Sequence, residues 1–268
     1  VLTNFDVIDI VAAGTVTFDA ADISGQSYEI TGNASASDVL AVTDTTGNNT
    51  IDLSTLTMNQ TIGQAVSNTS ITSGAGNDVI TGTNVADTVV AGAGNNTVST
   101  GTGNDNITGG TGIDNVTAGT GVDLIDLGSD TVTDVVNQAD DDSAAIGAIT
   151  ATGANLADAD TIATAIDAVT NFDPGEDKIN LDGIFASLVD LQAAAATAGT
   201  LGLSDGQAGF LIGNYDATTG AFTVASTPTV DGTESTLFLY DADASVGTAD
   251  IEAMVLVGIT SIAVGDLM

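Results

Sequence analysis

A chain of 268 residues with 36 acidic side chains and a single basic one, Lys178, carries a formal net charge of -35 and has no basic patch for nucleic acid or an anionic membrane surface. It has neither Cys nor His, which excludes disulfides, Ser-His-Asp and Cys-His machinery and an H-E-x-x-H zinc site within it. Yet 43% of the residues are hydrophobic, unlike a disordered acidic tail, so the chain can fold if something neutralises its acids.

Only four of the acids are Glu (Glu29, Glu176, Glu234 and Glu252); the rest are Asp, which suits turns and compact oxygen cages better than helical surfaces. No apolar stretch approaches the ~20 residues of a membrane span, so membrane insertion is not expected. Paired carboxylates leave acid–base glycosidase chemistry formally open, but with no Trp and three Tyr there is little aromatic surface to grip a sugar. The chain is therefore expected not to be an enzyme.

Residues 1–72 are Thr-, Ala- and Asp-rich, with short aliphatic runs (FDVIDIV, GTVTFDAADI, SYEITG, DVLAVT, NTIDLSTL) separated by turn signals. That spacing predicts short strands of an irregular, largely metal-free β-solenoid. The opening VLTNFDVIDIVAAG has no signal-peptide pattern and reads directly as strand, so the sequence is expected to be the C-terminal part of a longer or processed protein.

From 73 to 126 the sequence repeats every nine residues, six times without insertion: SGAGNDVIT, GTNVADTVV, AGAGNNTVS, TGTGNDNIT, GGTGIDNVT, AGTGVDLID. Position 8 is always β-branched and apolar (Ile80, Val89, Val98, Ile107, Val116, Ile125), as in a short strand burying one side chain. A strand that short must stack on copies of itself, as in a solenoid. Glycine fills positions 2 and 4 except in the second segment, which has Thr83 and Val85. Glycines allow positive φ and free their carbonyls to converge. Position 6 is Asp78, Asp87, Asn96, Asp105, Asp114 and Asp123. Carboxylate and carbonyl oxygens meeting at one point suit a hard cation, Ca2+ above all. The alternative is that these Asp and Asn residues only build turns.

These segments resemble the glycine-rich nonapeptide of RTX proteins, the Ca2+-binding parallel β-roll of type I secreted bacterial proteins. The resemblance implies two nonapeptides per coil, so that residues 18 apart lie side by side and share several ions. One edge would then carry Asp78, Asn96 and Asp114, and the other Asp87, Asp105 and Asp123. Asn96 removes a charge from the first edge, and Asp87 lacks its usual glycines. Asp105 with Asp123, supported by the carbonyls of Gly101, Gly103, Gly119 and Gly121, is thus the strongest expected site. Extending the register backwards places Leu53, Ile62 and Ile71 at the buried position.

After Asp126 the phase drifts through LGSDTVTDVVN, read as the last coil, so the roll is expected over 73–135. The acidic stretch with Asp140 to Asp142 reads as a solvated turn or an ion site, and ADTIATAIDAVTNF as a short helix or a strand pair. SLVDLQAAAATAG, 187–199, is predicted helical because it is alanine-rich and closed by Gly199. Around Pro174-Gly175, Asp173, Glu176 and Asp177 form an acidic turn beside Lys178. In DADASVGTADIE (241–252), Asp241, Asp243, Ser245 and Glu252 have EF-hand-like spacing, but Gly247 is one place late and the flank reads as strand, so a hairpin turn competes.

Residues Phe172, Asp177, Ile179 and Leu181, then Tyr240, Asp241, Asp243, Gly258, Asp266 and Leu267, resemble the C-terminal type I secretion domain that caps RTX rolls. The resemblance assigns 136–268 to a β-rich cap with one or two short helices and implies a type I exporter as partner. The expected protein is a Ca2+-stabilised, self-assembling S-layer-type component of the extracellular bacterial surface, with copies of itself and the cell envelope as partners. The competing reading is the folding and secretion module of a larger exported adhesin or enzyme. An ice- or ligand-binding face is a third, for which no long Thr ladder exists.

Overall fold

The computed structural model describes residues 7–9, 15–24, 29–31, 39–44, 47–54, 56–58, 68–138, 161–162, 166–181, 187–191, 207–219, 221–225, 234–241 and 251–268. The chain divides into two compact units, Val1–Asp134 and Val135–Met268.

The first unit is built from parallel strands paired with strands one coil further along the chain. Within the repeats the offset is 18 residues: Ile80 pairs with Val98 and Val98 with Val116 on one face, and Val89 with Ile107 and Ile107 with Ile125 on the other. All six of these position-8 side chains are buried, stacked coil on coil. The inward face continues at position 1, where Ser73, Ala91, Thr100, Ala118 and Leu127 are also buried. Ser73 Oγ and Thr100 Oγ1 donate to the carbonyls of Ala91 and Ala118 in the following coil, each at 2.7 Å.

Upstream the same pairing continues with wider coils. Val42 lies against Ile71 and Ile51 against Ile80, both 29 residues apart, and Val16 lies against Leu40, 24 apart. A third set pairs Val7–Asp9 with Glu29–Thr31 and that with Thr57–Met58, again in parallel. Leu53 and Ile71 are buried as the register implies, but the residue beside Ile80 is Ile51 rather than Ile62, because the chain inserts residues between coils. Ile62 itself lies outside the described residues. One short helix, Ala20–Ile23, interrupts the strands; Asp19 Oδ1 caps it by accepting from Ala21 N at 2.9 Å.

The second unit is mainly antiparallel. Gln207–Asp216 pairs with Ala221–Val224 on one side and Ser235–Asp241 on the other, and Ser235–Asp241 with Ile251–Leu256. Its core gathers Ile166, Leu211, Phe222, Leu237, Leu239 and Val255. The helix predicted over 187–199 is not formed at its start: Ser187–Asp190 is a strand parallel to Gln207–Asp216, and Leu191 is buried in the core. Sheet pairing overrides the local propensity there; residues 192–199 lie outside the described residues. Of the ADTIATAIDAVTNF segment, Thr161–Ile162 and Asp167–Thr170 are strands, pairing with different partners. Among the described residues of this unit, Leu191 is helical and Val264–Asp266 is a 3-10 turn.

Candidate metal centres

The position-6 side chains are buried in two rows, held by a repeated bond. Each backbone N–H at position 6 donates to the Oδ1 of position 6 in the next coil. On the first edge Asp78 N donates to Asn96 (3.0 Å), and Asn96 N to Asp114 (3.0 Å). On the second, Asp87 N donates to Asp105 and Asp105 N to Asp123, each at 2.8 Å. A position-5 row runs the opposite way: Asn95 N donates to Asn77 Oδ1 at 2.8 Å and Ile113 N to Asn95 Oδ1 at 3.1 Å. The structure thus groups Asp78, Asn96 and Asp114 on one edge, and Asp87, Asp105 and Asp123 on the other.

This bond uses one carboxylate oxygen and leaves the other. Oδ2 of Asp78, Asp105 and Asp114 is buried and accepts no hydrogen bond. A buried charged oxygen without a donor carries a penalty of a few kcal/mol, which an ion can cancel.

Burial shows in the acidities. It pushes the Asp114 carboxyl up to about 6, against the bonds from Asn96, with the Asp130 charge adding to the rise. The Asp87 carboxyl is pushed up to about 7 by burial, opposed by its bonds from Thr83 and reinforced by the charge of Asp105. Asp105 is raised as well, chiefly by burial.

The glycines stack in columns beside these rows. Gly101, Gly103, Gly119 and Gly121 have φ of 106°, 144°, 89° and 158°. A Cβ on Gly119 would overlap the Gly101 carbonyl, and one on Gly121 the Gly103 carbonyl. The packing therefore admits only hydrogen there and lines the edge with carbonyl oxygens. Among the described residues no three acidic side chains converge on one point. Carbonyls must therefore complete the oxygen shell of any Ca2+ held here, and this donor set fits that ion.

The first edge is longer than the sequence suggested. Asn49 N donates to Asp78 Oδ1 (2.8 Å) and Asn77 N to Asn48 Oδ1 (2.9 Å), so Gly47-Asn48-Asn49-Thr50-Ile51 is a further turn of the same design. Its signal was present, since GNNTI repeats GNNTV at 94–98, but a 29-residue spacing hides it from a nine-residue register. At the other end Asp114 N donates to Asp134 Oδ1 (2.8 Å), 20 residues on, so two extra residues carry the row past the broken phase. Asp130 stands where position 4 of this edge is otherwise glycine (Gly76, Gly94, Gly112), and accepts from Gly112 N at 2.7 Å.

Residues 68–98 and 99–133 match the family model described as RTX calcium-binding nonapeptide repeat (4 copies). Residues 68–133 are RTX calcium-binding repeats. The roll binds several Ca2+ ions, and Asp78, Asp105 and Asp114, with their unsatisfied oxygens, are the side chains best placed to hold them. Asp87 differs from its neighbours on the RTX roll: Oδ2 accepts from Thr83 N (2.8 Å) and Oδ1 from Thr83 Oγ1 (2.9 Å). No curated protein matches the chain.

Outside the roll, the acidic turn at 173–177 is closed by protein groups. Asp173 N donates to Asp177 Oδ2 at 2.8 Å. Lys178 faces Asp266, with Nζ 3.7 Å from Oδ1, and donates to the carbonyls of Asp177 and Gly175. Asp266 also accepts from Gly175 N (2.8 Å) and Ala263 N (3.0 Å), while Met268 N donates to Ile179 O. At 241–252 the described ends form an antiparallel hairpin, with Tyr240 opposite Glu252; the loop of the EF-hand-like spacing and Asp140 to Asp142 lie outside the described residues.

Proposed function

We propose that this protein is a Ca2+-stabilised structural component of the bacterial cell surface. It leaves the cell unfolded through a type I exporter, folds where Ca2+ is plentiful, and assembles there with copies of itself and with the envelope as an S-layer-type protein. The observation that carries this reading is the set of buried carboxylates at Asp78, Asp105 and Asp114, whose second oxygens have no donor in the fold. Such a chain, at a net charge of -35, gains its folding energy with its ions. Low cytosolic Ca2+ then keeps it threadable, and divalent bridges between acidic copies supply an assembly switch. The lack of Cys, His and Trp in this sequence supports a structural role over a catalytic one.

Negative-stain imaging and light scattering of the purified chain, with Ca2+ and with EGTA, test the proposal. Ordered assemblies in Ca2+ that dissolve in EGTA are expected. A protein that folds on Ca2+ yet stays strictly monomeric at high concentration would overturn the assembly reading and favour a folding and secretion module of a larger exported protein.

A further inference from the structure

In some turns of the roll a protein group already makes the bonds that an ion would make. Asn49 Nδ2 donates to the carbonyls of Gly47 (3.2 Å) and Ser73 (3.4 Å), bridging two oxygens from two coils. Asn96 Nδ2 donates to the carbonyl of Gly94 at 3.2 Å, the same bond from position 6 to position 4. At Asp87 the polarity is reversed: the Thr83 amide and hydroxyl fill both carboxylate oxygens. Asp78, Asp105 and Asp114, by contrast, each keep one buried oxygen with no donor.

We propose that Asn49, Asn96 and the Thr83–Asp87 pair are built-in substitutes for Ca2+, so that their turns fold without the ion while those at Asp78, Asp105 and Asp114 require it. An amide N–H presents positive charge to a carbonyl as a cation does, but adds no net charge and needs no dehydrated ion. A carboxylate at the same place has no donor, so the carbonyl and the carboxylate both call for a cation. The substitutes also have an order along the chain. Asn49 stands one coil ahead of Asp78, and Asp87 one coil ahead of Asp105. Each edge thus begins with an ion-free turn whose backbone N–H is already aimed at the next coil's carboxylate, a formed template on which the Ca2+-dependent coils add. Asn96 places a second such turn between Asp78 and Asp114.

The inference rests on the reading of the roll as Ca2+-binding, and the test separates the two. Bound Ca2+ per chain is measured by equilibrium dialysis, and the melting temperature in EGTA and in saturating Ca2+, for the full chain and for Asn96→Asp, Asn96→Ala and Thr83→Gly. Asn96→Asp is expected to bind about one more ion, to melt lower than wild type in EGTA and to recover in Ca2+. Asn96→Ala, which removes the donor without adding a carboxylate, is expected to bind no more Ca2+ and to melt lower in both conditions. Thr83→Gly, which frees Asp87, is expected to gain Ca2+ as Asn96→Asp does. If neither Asn96→Asp nor Thr83→Gly takes up more Ca2+, and the EGTA melts are unmoved, the substitution idea is wrong although the roll binds Ca2+. If the wild type binds none, the Ca2+ reading fails first and takes this one with it.

Discussion

The stacked glycine carbonyls set a spacing that one methyl group should break. Gly110 has φ of 116°, and a Cβ added to it would overlap the carbonyl of Gly92, with the Gly92 Cα at 3.1 Å. Gly128 stands in the same relation to Gly110, so the column is continuous. Gly47 supplies the control within the same unit: its φ is 92°, but nothing lies within 4 Å of an added Cβ. Gly47→Ala therefore isolates the cost of a left-handed backbone, about 1–2 kcal/mol. Gly110→Ala incurs that cost and a collision with backbone, which cannot rotate away as a side chain can. Overpacking of this kind adds about 1–3 kcal/mol, for a total of about 2–5 kcal/mol. Urea unfolding in saturating Ca2+, followed by far-ultraviolet circular dichroism, should show a clearly larger midpoint shift for Gly110→Ala. Calcium affinity should fall with it, because the displaced Gly92 carbonyl belongs to the oxygen-lined edge and Asp114 follows four residues later. Equal losses in the two variants would refute the reasoning, since the carbonyl column would then impose no constraint beyond φ.

Acidity should be visible when the ion is absent. The Asp87 carboxyl sits at about 7 instead of 3.8, so the folded state holds a proton that the unfolded chain releases. Stability in EGTA should therefore fall as pH rises through that window, by up to about 4 kcal/mol; Asp87→Asn should flatten the slope, and an unchanged slope would remove Asp87 as its source. Asp105→Asn should bind Ca2+ at least about tenfold more weakly by isothermal titration, having lost a charged ligand, and should melt higher in EGTA, because the new amide can serve the turn as Asn96 does. Asp266 is buried and accepts from two backbone N–H groups, so Asp266→Ala should cost about 1–3 kcal/mol in a thermal melt. Lys178→Met should cost less than about 1 kcal/mol, because its partner is 3.7 Å away and its side chain is partly exposed.

The repeats were legible because the same side chain does the same thing every nine residues. Ile80, Val98 and Val116 had to be buried and stacked, and the alternation of Gly, Asp and β-branched residues around them allows little else. What the period could not convey was a change in the period. Once coils widen to 29 residues, Ile51 replaces Ile62 beside Ile80, and the turn at Gly47–Asn49 falls out of phase although its five residues nearly copy 94–98. Leu53 is buried as expected, but not in the pairing that the nine-residue phase implied. The predicted helix at 187–199 failed at its first residues for another reason: Ser187–Asp190 pairs with Gln207–Asp216, a partner that local propensity cannot see. Nor could the sequence say that the one lysine would face Asp266, since the turn at Gly175 and the C-terminal residues meet only in the folded unit.

The preference for Asp over Glu follows from the ladder. At position 6 the side chain must place one oxygen 2.8 to 3.0 Å from the backbone N of the adjacent coil while the rest of it stays buried. The single methylene of Asp does this with the carboxylate drawn close to its own backbone. An extra methylene would have to be accommodated in a space already so tight that a Cβ on Gly109 would meet Asp114 Oδ2 at 2.5 Å. That tightness is also why the acids perturb one another, with Asp105 raising Asp87 and Asp130 raising Asp114. A row of buried carboxylates is thus unfavourable alone and favourable with a cation between its members. The roll's stability is then set by the ion concentration around it, and the positions where Asn or Thr intervenes fix how much of the roll survives when that concentration falls.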